Sequence, residues 1–242
     1  MKKVYLVGAG AGDVELLTLK AVNILKKADV VLYDALVNTQ CLEFCKKDTI
    51  TINVGKRKNN HIKKQNEINK MLVQYGKQYN IVVRLKGGTP FVFGRGMEEC
   101  EALAKAGLEP IVISGVSATT SVPESFMIPL IYRKYNDSYR TITGHDVEIF
   151  EDIITTYNKR ESLIIMMGIH NLKQIVKILL NKSFPTNIPV AILSKGTTKE
   201  ATKLVFALDE LLNKPLEFFD DIKTLTPAMI FVGYFDATNS IN

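Results

Sequence analysis

The feature that most constrains the fold is an alternation of short β-branched runs, turns of glycine or charged residues, and segments with helical spacing. Val4–Val7, Val30–Tyr33, Thr51–Val54, Ile81–Leu85 and Pro110–Ile113 read as strands. Leu16–Lys27, Lys64–Tyr75 and Glu98–Ala106 read as the helices between them, the last stopped by Gly107. Such alternation predicts an α/β fold built on parallel strands. Near Ser114-Gly115 the pattern restarts. Small residues Ser117–Ser121 open a helix that Ile128-Pro129-Leu130 breaks, and strands follow at Thr141–Thr143, Leu163–Met167, Pro189–Leu193 and Met229–Val232. The expectation is two α/β domains, 1–114 and 115–242, joined without a flexible tether and holding a ligand in the cleft between them.

Parallel strands send all their carboxyl ends to one edge of the sheet, so segments at strand ends should converge there. Five segments qualify: Gly8–Asp13, Tyr33-Asp34, Gly55-Lys56-Arg57, Gly87–Gly96 and Gly115–Ala118. Singly they say little, since Gly55-Lys56-Arg57 reads as a surface pair more readily than as a site. The first glycine loop invites a nicotinamide-dinucleotide reading, because Asp34 ends the second strand where a ribose-binding acid belongs. Its spacing argues otherwise. The third glycine follows one residue after the second, and Asp13 would repel a pyrophosphate at a helix N-terminus. The loop Lys86-Gly87-Gly88-Thr89-Pro90-Phe91-Val92-Phe93-Gly94-Arg95-Gly96 is the richer candidate. It is rigid and irregular, and it ends where Arg95 and Glu98 can share a helix face. Arg133, after Pro129-Leu130-Ile131-Tyr132, can offer a bidentate fork to a carboxylate.

Composition narrows the partners only weakly. The net charge of +6 suits an acidic small molecule as well as a nucleic acid. No apolar run approaches the roughly 20 residues of a membrane span. The stretch Val4–Val7 is cut at Gly8, short of the about 7–15 apolar residues of a signal peptide, and reads as a buried strand. The three cysteines, Cys41, Cys45 and Cys100, and the three histidines, His61, His145 and His170, make no metal-ligand spacing. An odd cysteine count fits no disulfide framework, which points to the cytoplasm. Cys41 and Cys45, at i and i+4, read as core packing.

The segments VGAGAGDVELLTLKAVNILKKADVVLYDALV and VVRLKGGTPFVFGRG resemble the tetrapyrrole methylase family. GKR at Gly55–Arg57, TGH at Thr143–His145, Met167-Gly168, PVAILSKGTT at Pro189–Thr198 and PAMIFVG at Pro227–Gly233 extend the resemblance over nearly the whole chain. It implies two α/β domains, the first sheet mostly parallel and the second mixed, with the active site in the cleft between them. It implies transfer of two methyl groups from S-adenosyl-L-methionine to C2 and C7 of uroporphyrinogen III, giving precorrin-2 by way of precorrin-1 and releasing S-adenosyl-L-homocysteine. That is a step towards sirohaem or cobalamin. YDALV and GKR are the segments that favour this acceptor over later precorrins.

Carried over by position, the resemblance gives Asp34 the proton-acceptor role and Lys56 a donor role. Arg95, Glu98 and Arg133 would face the acidic macrocycle. Ala11, Gly87, Gly88, Thr89, Val92, Ser117, Ala118, Met167, Ala191 and Ala228 would line the cofactor, mostly through backbone groups. A homodimer with no metal, nucleic acid or membrane partner is implied as well. The chain departs from the family pattern at Ala11, where proline is usual, at Thr89, where aspartate is usual, and at Ser114, Tyr132 and Met97.

Overall fold

The structure is a computed structural model that describes residues 2–55 and 65–235. It divides into two compact units, the first ending at Ala118 and the second beginning at Thr119.

In the first unit, β1 (Lys3–Gly8), β2 (Val30–Tyr33), β3 (Ile50–Asn53), β4 (Ile81–Lys86) and β5 (Glu109–Ile113) form one sheet. Its order is β3-β2-β4-β1-β5, and every pairing is parallel. Between the strands run α1 (Leu19–Leu25), α2 (Gln65–Gln78) and α3 (Gly96–Lys105). The apolar run expected as one helix from Leu16 is broken instead. A short 3-10 turn covers Val14–Leu16, and Thr18 then caps α1 by accepting from the Ala21 N–H at 3.1 Å. A hydroxyl that satisfies an orphan N–H fixes a helix start more firmly than apolar spacing does.

Both faces of this sheet are buried, as a parallel sheet requires. Val4, Leu6, Val30, Leu32 and Val82 pack with Ile68, Leu72 and Leu103 of α2 and α3. Val7, Val31, Val83 and Leu85 pack with Ala21 and Leu25 of α1. Side chains alternate along a strand. Arg84 and Lys86 of β4 therefore share the face of Val82 and point towards α2 and α3.

α4 (Ala118–Ser125) spans the boundary between the units. The second unit holds β6 (Ser138–Thr143), α5 (Val147–Ile153), β7 (Glu161–Met166), α6 (Leu172–Asn181), β8 (Pro189–Ser194) and β9 (Thr202–Ala207). It closes with α7 (Leu208–Leu212), α8 (Leu216–Asp221) and β10 (Ala228–Val232). The sheet order is β6-β7-β10-β8-β9, with β6 and β7 parallel and the other pairings antiparallel, so the sheet is mixed. One face carries a continuous core in which Ile165, Ile192 and Ile230 meet Leu172, Ile175 and Leu179 of α6. Burying each such side chain contributes ~1.5–3 kcal/mol. β9 has no counterpart among the strands read from sequence. It is an edge strand with no clean alternation of buried and exposed residues, and it runs straight into α7. Among the described residues no helix is long and apolar enough to cross a membrane.

Candidate active site

The loops after the first unit's strands meet at the carboxyl edge of the sheet. Gly10 and Gly88 form an isolated bridge, with Gly88 N–H donating to Gly10 O at 2.7 Å and Gly10 N–H donating to Gly88 O at 3.2 Å. A Cβ on Gly8 would lie 2.5 Å from Gly115 N and 2.5 Å from Gly88 O. The loops after β1, β4 and β5 thus touch backbone to backbone, which only glycine permits. A Cβ on Gly55 would lie 2.0 Å from Ala35 N, so the loops after β2 and β3 are equally close.

Gly87 and Gly88 differ from these. A Cβ there would meet only Leu36 Cβ at 3.6 Å and Ala118 N at 3.8 Å respectively. Both positions leave room for an organic ligand to approach the chain closely, although Gly88 already commits its N–H and carbonyl to Gly10.

Asp13 stands at the start of the turn Val14–Leu16 and accepts from the Glu15 N–H at 2.9 Å. Its carboxylate takes a donor that a pyrophosphate would need, so the first glycine loop is not built as a dinucleotide site.

Asp34 follows β2 directly, with its side chain 29% exposed. Its Oδ1 is ion-paired with Nη2 of Arg84, while Oδ2 lies 3.9 Å from Lys86 Nζ. Arg84 is almost fully buried. Its Nε donates to Glu99 Oε1 at 3.0 Å, and its Nη1 donates to the carbonyls of Leu85 at 3.2 Å and Leu32 at 3.5 Å. Glu99, on the first turn of α3, has no exposed surface, and its Oε1 also accepts from Lys86 Nζ at 3.1 Å and Gln65 Nε2 at 3.2 Å. Two cations and two carboxylates therefore balance in one cluster. Burial pushes the Lys86 ammonium below its ordinary range and neighbouring Arg84 adds to this, against the opposing pull of Glu99 and Asp34.

No role for Arg84, Lys86 or Glu99 is legible in the sequence, because their burial shows only once β4 is seen to be covered on both faces. Cations at i and i+2 on a strand buried on both faces need an acid, and Glu99 supplies it at the head of the next helix.

The loop after β4 folds back on itself. Gly96 N–H donates to Pro90 O at 3.1 Å, and Phe93 and Arg95 adopt left-handed φ of 52° and 55°. Thr89 is half-buried, and Val92 is 42% exposed. Arg95 and Glu98 form an exposed bidentate pair, with Nε to Oε1 at 2.8 Å and Nη2 to Oε2 at 2.7 Å. The guanidinium beside Glu98 holds that carboxyl below its usual range. Ala11 and Ser117 are half-buried in the loops after β1 and β5, and Ala118 is half-buried at the start of α4. Lys56, expected as a donor, lies outside the described residues.

Within the second unit, Met167 follows β7 with a left-handed φ of 57°, and Ala228 opens the adjacent β10, so both sit at one sheet edge. Ala191 does not reach that edge. It pairs with Phe231 inside β8 and is fully buried. Arg133 is exposed in a turn that Asn136 organises, accepting from Tyr132 N–H at 2.8 Å and donating to the carbonyls of Leu130 and Ser138 at 2.8 Å each. The cysteines take no part. Burial pushes the Cys41 thiol up to about 11 and raises those of Cys45 and Cys100, away from the reactive thiolate.

A parallel α/β unit whose strand-end loops gather beside a carboxylate defines the class, and comparison with known proteins gives the family. The model of the Tetrapyrrole (Corrin/Porphyrin) Methylases matches residues 3–212, and the chain belongs to this family. It is 45% identical over 215 residues to the uroporphyrinogen-III C-methyltransferase of Methanocaldococcus jannaschii, covering 88% of this chain and 89% of that one. A siroheme synthase of Acinetobacter baylyi is 41% identical over 226 residues, where 93% of this chain spans half (50%) of the longer protein. The crystal structure of the uroporphyrin-III C-methyl transferase from Thermus thermophilus, complexed with S-adenosylhomocysteine, superposes with a TM-score of 0.76 at 30% identity, over 96% of this chain and 92% of that one.

Proposed function

We propose that the chain is an S-adenosyl-L-methionine-dependent C-methyltransferase that converts uroporphyrinogen III to precorrin-2 by methylation at C2 and then C7. The observation that carries this reading is the gathering of glycine loops around Asp34 at one sheet edge, in a chain so similar to enzymes of that name. The cofactor supplies an electrophilic sulfonium methyl, and the chain's own residues do the rest. The open space over Gly87 and Gly88, with Thr89, Val92, Ala11, Ser117 and Ala118, is the proposed place of the cofactor beside the carboxylate. In the second unit, Met167 and Ala228 are the proposed backbone contacts, and Ala191, buried inside β8, is not among them. Aligning the pyrrole carbon with the methyl is the main catalytic task.

Once that carbon has gained the methyl, the macrocycle must lose a proton from another of its atoms, and Asp34 is the proposed acceptor. Its Oδ1 is committed to Arg84, whereas among the described residues Oδ2 carries only the looser ion pair to Lys86. Oδ2 is therefore the oxygen assigned to the proton. Lys56 is proposed as a donor. Arg133 and Arg95 are proposed to bind the acidic tetrapyrrole, with Glu98 holding the Arg95 fork until a substrate carboxylate replaces it.

The cysteines are free thiols, which suits the cytoplasm, and a homodimer follows from the resemblance. Release of S-adenosylhomocysteine, measured anaerobically with uroporphyrinogen III as acceptor, tests the reading. Turnover of uroporphyrinogen III is the expected result, and release only with a later precorrin refutes it.

A further inference from the structure

The mechanism above leaves a buried group unused. Glu99 is completely buried, and its Oε2 has no hydrogen-bond partner among the described residues. Burying a carboxylate this way is costly, and a charge needed only to neutralise Arg84 would be cheaper to delete together with it. What the pair does provide is direction. The Arg84 guanidinium is planar and is held on three sides: Nε by Glu99, and Nη1 by the carbonyls of Leu85 and Leu32 at the ends of β4 and β2. Its remaining nitrogen, Nη2, is aimed at Asp34 Oδ1. A fork fixed at three points sets both the place and the plane of the carboxylate it holds. Lys86 braces the same arrangement from the start of the glycine loop, with Glu99 just beyond the end of that loop.

We infer that Glu99 and Arg84 are positioning residues for Asp34: Glu99 orients the Arg84 guanidinium, and Arg84 turns Asp34 so that Oδ2 faces the substrate. The inference rests on the proposed function, because it needs Asp34 to be the proton acceptor. Neither residue touches substrate or cofactor. Both act through the rotamer of Asp34, as supporting groups do when they hold a reacting group within a fraction of an ångström.

A double-mutant cycle on the full chain tests this, read by the rate of S-adenosylhomocysteine release with uroporphyrinogen III and by calorimetric binding of S-adenosylhomocysteine. Glu99→Gln keeps the shape of the side chain and removes its charge. It is expected to lower kcat about tenfold, within the ~100-fold that a misplacement of about 1 Å can cost, while the affinity for S-adenosylhomocysteine stays unchanged. In an Asp34→Asn background the same change should cost nothing further, because the group it positions is gone.

An equal loss in both backgrounds, or a parallel loss of S-adenosylhomocysteine affinity, would overturn the positioning role. Arg84→Lys, which keeps the charge but not the fork, repeats the cycle should Glu99→Gln fail to fold. An inactive but folded wild-type protein would overturn the proposed function and this inference together. An active wild type with additive variants would overturn the inference alone.

Discussion

The two units treat buried polar groups in opposite ways. Among the described residues of the first, the buried polar side chains are Arg84, Lys86 and Glu99, all of charged types. In the second they are Thr119, Ser121, Asn136, Ser162 and Ser194, all uncharged. Asn136 shows the second style. Its amide accepts from Tyr132 N–H and donates to Leu130 O, Ser138 O and Ser162 Oγ, closing a turn with neutral hydrogen bonds.

The first style is more expensive, since each ion must be fully compensated when it leaves water. Charge is buried where a carboxylate at the sheet edge has to be aimed, and neutral amides and hydroxyls serve where only the chain has to be turned. The topologies fit this division. An all-parallel sheet gathers its strand-end loops at one edge, whereas the mixed sheet sends some strand starts there, such as Ala228.

Breaking one member of each cluster separates the two styles. Arg84→Met has the largest expected effect. It leaves Glu99 buried with one cation fewer and should cost ~3–5 kcal/mol, seen as a lower urea midpoint. Asn136→Ala should cost less, about 1–3 kcal/mol, because the groups it strands are neutral. Equal losses would erase the distinction between the units.

The smallest effect is at the other end of the first sheet. There Asp29 accepts from Ile81 N–H at 2.9 Å and pairs with Lys46, which holds its carboxyl below the ordinary range. A carboxyl whose folded pKa is depressed contributes stability above the ordinary carboxylate range and loses it as pH falls through the folded value. Being partly exposed, Asp29 is expected to contribute under about 1 kcal/mol, and Asp29→Asn should flatten the acid limb of the stability profile by that amount.

Much of the fold was legible because periodicity reports burial on one face. The strands at Val4–Val7, Val30–Tyr33, Ile81–Leu85 and Pro110–Ile113 all fall within observed strands. β9 was not legible, since its burial does not alternate and its run leads straight into α7. The gathering of the glycine loops followed from strand direction alone, and the backbone contacts among Gly8, Gly88 and Gly115 bear it out.

The charge cluster was hidden for a physical reason. Arg-Leu-Lys after a valine pair reads as a strand with one wet face, and only a neighbouring strand on each side and helices above show that both faces are dry. Asp34 stood out in the sequence as a strand-end acid, but its partner Arg84 could be named only once β2 and β4 were known to be adjacent.

Asp34→Asn offers the most direct test of the central claim, that the carboxylate gathered among these loops accepts the substrate's proton. The measurement is single-turnover release of S-adenosylhomocysteine with uroporphyrinogen III, beside calorimetric binding of S-adenosylhomocysteine to the same protein. A rate ~10²–10⁴-fold below wild type at unchanged S-adenosylhomocysteine affinity is the expected result if Asp34 accepts the proton. An undiminished rate would contradict it.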